Sequence, residues 1–287
     1  MPLTVIEIAF DPVLRLSETS SVRYETVALA VVILLGLLLA ARIASRTPSD
    51  AQDETAPTLR IDDLVFIAVG AVPGAIAGGR LGYVLDHLDY YRAHPNAILD
   101  PAQGGLTLTL AVPLGILTGS VIARLLGAPV GRWLHAAALP LLFVLGAGKL
   151  VGVLGATGQG AFSDLPWATA YLGPGPWGSL AAEVPAHPAQ AYEAIAVVAI
   201  ILVLGAVSRL RTFARRDGAI LFAGLALWAL ARFLLAQTWR DPVAIGPLRM
   251  EQAQSLLVLA VAAGGLVARS RSRSGEVGRL EVEGRPA

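Results

Sequence analysis

The chain has 287 residues, 55% of them hydrophobic and only 15% charged, with a mean hydropathy of +0.65 and a net charge of +1. Soluble domains carry about a quarter charged residues, so this composition excludes a soluble globular protein and demands a bilayer, whose core needs about 20 apolar residues per helix. The absence of cysteine excludes disulfides, a thiolate nucleophile and a Cys-based metal site, and nothing in the charge balance calls for a nucleic-acid partner.

In chain order, seven apolar runs have the length of a membrane span. They are Tyr24–Ala44, Leu64–Leu85, Gly105–Leu126, Leu134–Ala156, Pro188–Val207, Gly218–Trp239 and Gln252–Ala268. The first lacks a preceding Lys/Arg cluster and is too long for the h-region of a signal peptide, so it is read as a span that stays. The fold class expected is an all-α integral membrane protein of seven helices, forming one membrane domain over residues 1–268. A polar linker, residues 47–63, joins the first two spans. A long loop, residues 157–187, precedes the fifth. The Arg-rich tail, residues 269–287, is expected to be disordered.

Orientation follows from the basic residues. With the N-terminus outside, fourteen of the 22 face the cytoplasm and five face outward; Arg80, Lys149 and Arg232 remain within spans. The positive-inside rule therefore predicts N-out, C-in. The long loop then lies outside. It has no Lys or Arg, and it carries Trp167 and Trp177, which suit an interfacial belt.

Ionisable groups inside a bilayer are costly and usually mark function or a specific pairing. With this orientation Arg80, Lys149 and Arg232 all fall in the outer half. Tyr192 and Glu193 lie in the first two turns of the fifth span, and Thr109 near the start of the third. His187, Gln190 and Glu193 are spaced i, i+3, i+6 and share one helix face. Pro188 suits the first helical turn. Arg80 and Tyr83 are i, i+3 neighbours. Three cations against one in-span acid leave positive charge over, which an anionic phospholipid headgroup would match. The plainer account has the arginines snorkelling to the interface, Glu193 neutralising one of them and His187 capping the fifth helix.

The stretch "HPAQAYE" (His187–Glu193) with "GGRLGYVL" (Gly78–Leu85) resembles the prolipoprotein diacylglyceryl transferase family. "FDP" (Phe10–Pro12), "QGGLTL" (Gln103–Leu108), "GAGKL" (Gly146–Leu150), "ARFLL" (Ala231–Leu235) and "RMEQAQS" (Arg249–Ser255) are similar to further family segments and fall in the family's order. The resemblance spans nearly the whole chain. It implies a multi-pass enzyme of the bacterial cytoplasmic membrane that moves the diacylglyceryl group of phosphatidylglycerol to the cysteine thiol of a prolipoprotein signal peptide. No metal and no cofactor are implied. The site residues it implies are His187, Tyr192 and Glu193 for catalysis. For the substrate it implies Arg80, Tyr83, Lys149, Gln190 and Arg232, with Thr109 where the family has a histidine.

Other positions also depart from the family. Lys149 replaces an arginine, Gly152 and Gly155 replace two asparagines, and Thr157 replaces a glutamate. Ala236 stands where the family has a glutamate four residues after Arg232. The lipid-holding residues are kept while those that handle protons are not. Weak or altered transfer, with His187 or Glu193 as base, is therefore expected; the alternative is a non-catalytic phospholipid-binding or scaffolding protein. A transporter lacks support, because the sequence has no repeat symmetry.

Overall fold

In a lipid core every backbone N–H and C=O must be satisfied within the segment, which makes a run of apolar residues helical. The computed structural model describes residues 5–50, 53, 55–100, 102–208, 210, 213 and 216–283, with side chains through residue 269. In it all seven runs are helices long and apolar enough to cross a membrane. They are α1 Tyr24–Ala44, α2 Ile61–Asp86, α4 Leu108–Leu125, α5 Val130–Val151, α6 Ala189–Val207, α7 Ala219–Leu235 and α8 Met250–Glu283. A short helix, α3 Leu88–Ala93, follows α2. The last helix continues to Glu283, through most of the segment read from sequence as a tail. Residues 284–287, and Arg209, Arg211 and Arg215 of the orientation count, lie outside the described residues.

Six short strands, absent from the sequence-based reading, form three two-stranded sheets among the described residues. They are β1 Ile6–Ala9, β2 Val13–Arg15, β3 Ser21–Arg23, β4 Thr169–Leu172, β5 Val243–Ile245 and β6 Leu248–Arg249. At two to four residues each, they are too short for alternation to register.

The chain divides into two compact units. One comprises residues 1–42, 139–202 and 231–253. Here β1 runs parallel to β4 with Ile6 opposite Thr169, and the long loop packs Tyr171, Ala156 and Ala182 together against Ile8 and Trp177. Arg240 ties down the start of this loop. Its Nε donates to the Gly160 carbonyl at 2.7 Å and its Nη2 to Gln159 Oε1 at 3.2 Å, while Gln159 Nε2 donates to the Thr169 carbonyl at 3.0 Å.

The other unit comprises residues 43–138, 203–230 and 254–287. Its centre is the pair α2 and α4. Gly70, Gly74, Gly78 and Gly82 recur every fourth residue along one face of α2; Gly70 meets Ile122, Gly74 meets Leu114 and Thr118 and Gly78 meets Leu110 of α4, while Gly115 and Gly119 of α4 meet Ala75 and Ala71 of α2. Such small-residue stripes let helix backbones approach closely where no hydrophobic effect drives association. A Cβ at Gly78 would come 2.8 Å from the Leu110 carbonyl carbon and 2.9 Å from Leu114 Cβ. Thr118 Oγ1 donates back to the Leu114 carbonyl at 3.2 Å, and the Thr107 amide crosses to the Gly79 carbonyl at 2.9 Å. In the linker, Pro48 and Thr58 form an antiparallel bridge, and Leu59 buries itself with Ala44, Trp133 and Ala136.

Close approach of α2 and α4 makes Gly78 intolerant of a side chain. Gly78→Leu should destabilise the protein by about 1–3 kcal/mol or more through overpacking. Gly205→Ala, where a Cβ meets open space, should stay within about 0.5 kcal/mol of the parent. Thermal unfolding in detergent would compare the two.

Candidate functional site

Four helix ends of the first unit each contribute one charged side chain to a single buried group. Lys149 comes from the last turn of α5, Glu193 from the start of α6, Arg232 from the last turn of α7 and Glu251 from the first turn of α8. Both cations sit near helix C-termini and both acids near N-termini, where the helix dipoles favour them. Glu193 Oε1 accepts Lys149 Nζ at 2.8 Å, and its Oε2 accepts Arg232 Nη1 at 2.6 Å. Arg232 Nε and Nη2 both reach Glu251 Oε1, at 2.9 and 2.8 Å. Arg232, Glu193 and Glu251 are buried, while the Lys149 side chain keeps 27% of its surface exposed. Trp239 closes the group, its ring 4.6 Å from the Arg232 guanidinium carbon and 5.6 Å from Lys149 Nζ. Contacts of this kind add cation–π attraction in a desolvated site.

This arrangement corrects the sequence-based charge count. Glu251 falls just before the apolar run that starts at Gln252, yet it supplies a second carboxylate. These four side chains therefore balance, two against two, and leave no surplus cation within the group.

The fifth-span motif divides its labour. Glu193 joins the ion group. Tyr192 points its hydroxyl elsewhere, accepting from Trp167 Nε1 at 2.7 Å and lying 3.3 Å from His187 Nδ1. The His187 amide and carbonyl pair with Ala161 and Gly160, seating the helix start on the long loop. Gln190, one turn before Glu193, is 1% exposed and lies close enough to Tyr171 to act on its phenol. It packs on the loop after α5, its Cγ 3.5 Å from where a Cβ of Gly152 would stand.

That loop carries another polar pair which sequence reasoning missed. Thr157 Oγ1 donates to Glu25 Oε2, from the first turn of α1, at 2.9 Å. Nearby, Tyr171 is pushed up to about 12 from its usual 10.0, first by burial and further by the negative charge of Glu25, with Gln190 opposing. Glu25 and Thr157 are 132 residues apart, so no local pattern links them.

Arg80, Tyr83 and Thr109 belong to the second unit. The Arg80 guanidinium is spent on backbone. Its Nε donates to the Ile98 carbonyl at 2.6 Å, and its Nη2 to the carbonyls of Ala97 at 2.6 Å and Asp100 at 3.1 Å. It also lies over the rings of Tyr91 at 5.2 Å and Tyr83 at 5.9 Å. Tyr83 stacks on His87 with ring centroids 4.2 Å apart. Thr109 is fully buried in α4.

Residues 13–268 match the family model described as prolipoprotein diacylglyceryl transferase. The chain is also similar to several bacterial proteins named phosphatidylglycerol–prolipoprotein diacylglyceryl transferase. One from Geobacter sulfurreducens is 33% identical over 200 residues, covering 67% of this chain and 72% of the relative. One from Clostridioides difficile is 25% identical, covering 82% and 84%. One from Trichormus variabilis is 26% identical, covering 93% and 92%.

Removing one member of a buried ion group strands its partners. Arg232→Ala should cost about 3–5 kcal/mol, because it takes the guanidinium from Glu251 and leaves Glu193 with Lys149 alone. The double variant Arg232→Ala/Glu251→Ala should recover part of that loss in thermal unfolding. Tyr171 gives a separate check. Its raised value means that the stability from a neutral, buried phenol holds below about 10 and is lost as the pH rises through about 12. Glu25→Gln should lower the Tyr171 midpoint while leaving it above 10.0, since burial is the larger cause. The phenolate absorbance difference against Tyr171→Phe measures it.

Proposed function

Because the chain belongs to the prolipoprotein diacylglyceryl transferase family, we propose that it moves the diacylglyceryl group of phosphatidylglycerol to the cysteine thiol of a prolipoprotein signal peptide, and does so slowly. Seven spans and bacterial relatives make it a multi-pass bacterial membrane protein. The reading places it in the cytoplasmic membrane, N-out, with the ion group toward the outer leaflet.

The observation that carries this reading is the pairing of Lys149 and Arg232 around Glu193. Thiol attack on the glyceryl carbon expels a glycerol phosphate, and fixed cations in a low-dielectric site stabilise the charge that develops on it. Lys149 is the more exposed of the two and has three donors, one of which Glu193 takes. It is the natural first contact for an incoming phosphate, with Arg232 behind it, held in place by Glu251. A lysine offers a point charge rather than the bidentate fork of an arginine, which supports reduced rather than full activity. The glycines at 152 and 155 and the threonines at 109 and 157, standing where the family has polar or ionisable side chains, support it too.

One observation favours a second reading, a phospholipid-binding protein without transfer. The ion group balances internally, and Arg232 is already committed to two carboxylates.

The protein in phosphatidylglycerol vesicles, given a synthetic peptide bearing a signal-peptide cysteine motif, should add a diacylglyceryl mass to the peptide. Lys149→Ala should slow that gain by about 10²–10³, the loss typical of one charge-stabilising donor. No mass gain, with phospholipid still co-purifying, would leave the second reading.

A further inference from the structure

Both oxygens of Glu193 already accept a charged donor, Lys149 on one and Arg232 on the other. In this position Glu193 organises cations rather than taking a proton. Another carboxylate of the same unit faces the loop that Gln190 packs against. Glu25, half-buried in the first turn of α1, is built into that loop by glycines as much as by its hydrogen bond. A Cβ at Gly155 would fall on the Glu25 carboxylate, so a side chain there would require the acid to move. A Cβ at Gly178 would stand 2.6 Å from Thr157 Oγ1, the donor that fixes Glu25. Gly178 is itself drawn in by its amide, which donates to the Gly155 carbonyl at 2.6 Å. The loop closes on itself where the Thr157 amide donates to the Gly152 carbonyl at 2.9 Å. Residues 152–158 thus have Glu25 against one part and Gln190 against another, and Gln190 lies one helical turn from Glu193.

We propose that Glu25 is the base for the substrate thiol, acting from α1 through a carboxylate seated at Gly155 and Thr157. The proposal rests on the transfer reading above. The S–H proton passes to Glu25, and the thiolate sulfur forms a bond to the glyceryl carbon that carries the phosphodiester oxygen. That carbon–oxygen bond breaks, and its electron pair leaves on the glycerol phosphate, beside Lys149 and Arg232. Glu25 then returns its proton to water. Thr157 is a positioning residue. It occupies one carboxylate oxygen and leaves the other for the thiol.

The rival account makes Glu25 only an acceptor for Thr157 that braces the loop. Glutamine keeps that hydrogen bond and loses the basicity, so Glu25→Gln separates the two. The full-length protein would be placed in phosphatidylcholine vesicles, which lack the donor lipid, with the same cysteine peptide. The rate at which iodoacetamide alkylates the peptide reports its thiolate. A free thiol with a pKa of about 8.5 is only a few per cent ionised at neutral pH, so full ionisation would speed alkylation by up to about thirtyfold.

The expected result is a clear acceleration by the parent protein, loss of it in Glu25→Gln and partial retention in Glu25→Asp. In phosphatidylglycerol vesicles Glu25→Gln should also slow transfer by about 10²–10⁴, the usual range for a general base. Acceleration as large in Glu25→Gln as in the parent would overturn the assignment, as would no acceleration by the parent. A Glu25-dependent acceleration without any diacylglyceryl gain would uphold the base and overturn the transfer reading. Thermal unfolding of Glu25→Gln checks that the variant is folded.

Discussion

Four charges buried at helix ends set the terms for the first unit. An isolated charge in hydrocarbon is expelled, neutralised or paired, and here pairing is nearly complete. Lys149, Glu193, Arg232 and Glu251 alternate in sign, and each stands at the helix end whose dipole suits it. Burying such a group adds little net stability compared with apolar packing, but breaking it is costly. What it provides is registry. The ends of α5, α6, α7 and α8 cannot slide past one another without stranding a charge.

From that anchored layer the loop after α5 inherits its position. Gln190 rises one turn from Glu193 and fills the space beside Gly152 and Gly158. Arg240, which follows α7, fixes Gly160 and Gln159, and through Gln159 the strand at Thr169. Backbone pairing between Gly160 and His187 then seats the start of α6. The polar contacts thus run from helix ends to loop and back to helix.

The spans were legible because twenty apolar residues in a row admit few alternatives in a bilayer. The fifth-span motif was legible because its spacing puts His187, Gln190 and Glu193 on one face. What escaped depends on contacts the linear chain does not encode. Glu251 looked like a flank to an apolar run, although its helix begins one residue earlier. Arg80 reads as a cation for an anionic headgroup, and no local pattern shows that the segment after α3 folds back to present three carbonyls to it. The glycines of α2 were visible one by one; their fourfold spacing against α4 carried the packing signal. Glu25 stands at the edge of the first apolar run, and nothing local ties it to Thr157, 132 residues away.

The glycines at 152 and 155 take on a different sense once Glu25 is in view. Read against the family pattern, they are positions where polar side chains are missing. In the structure, Gly155 is a space that a carboxylate from another helix occupies. A side chain there would meet the Glu25 carboxylate where it now stands, so the glycine and the seated acid suit one another. The consequence is mechanical. Glu25 depends on how α1 meets the loop, while Lys149 and Arg232 depend on how α5 and α7 meet α6. The separation of Glu25 from Lys149 and Arg232 then follows from loop packing among Gly152, Gly158 and Gln190, where the contact is van der Waals rather than ionic.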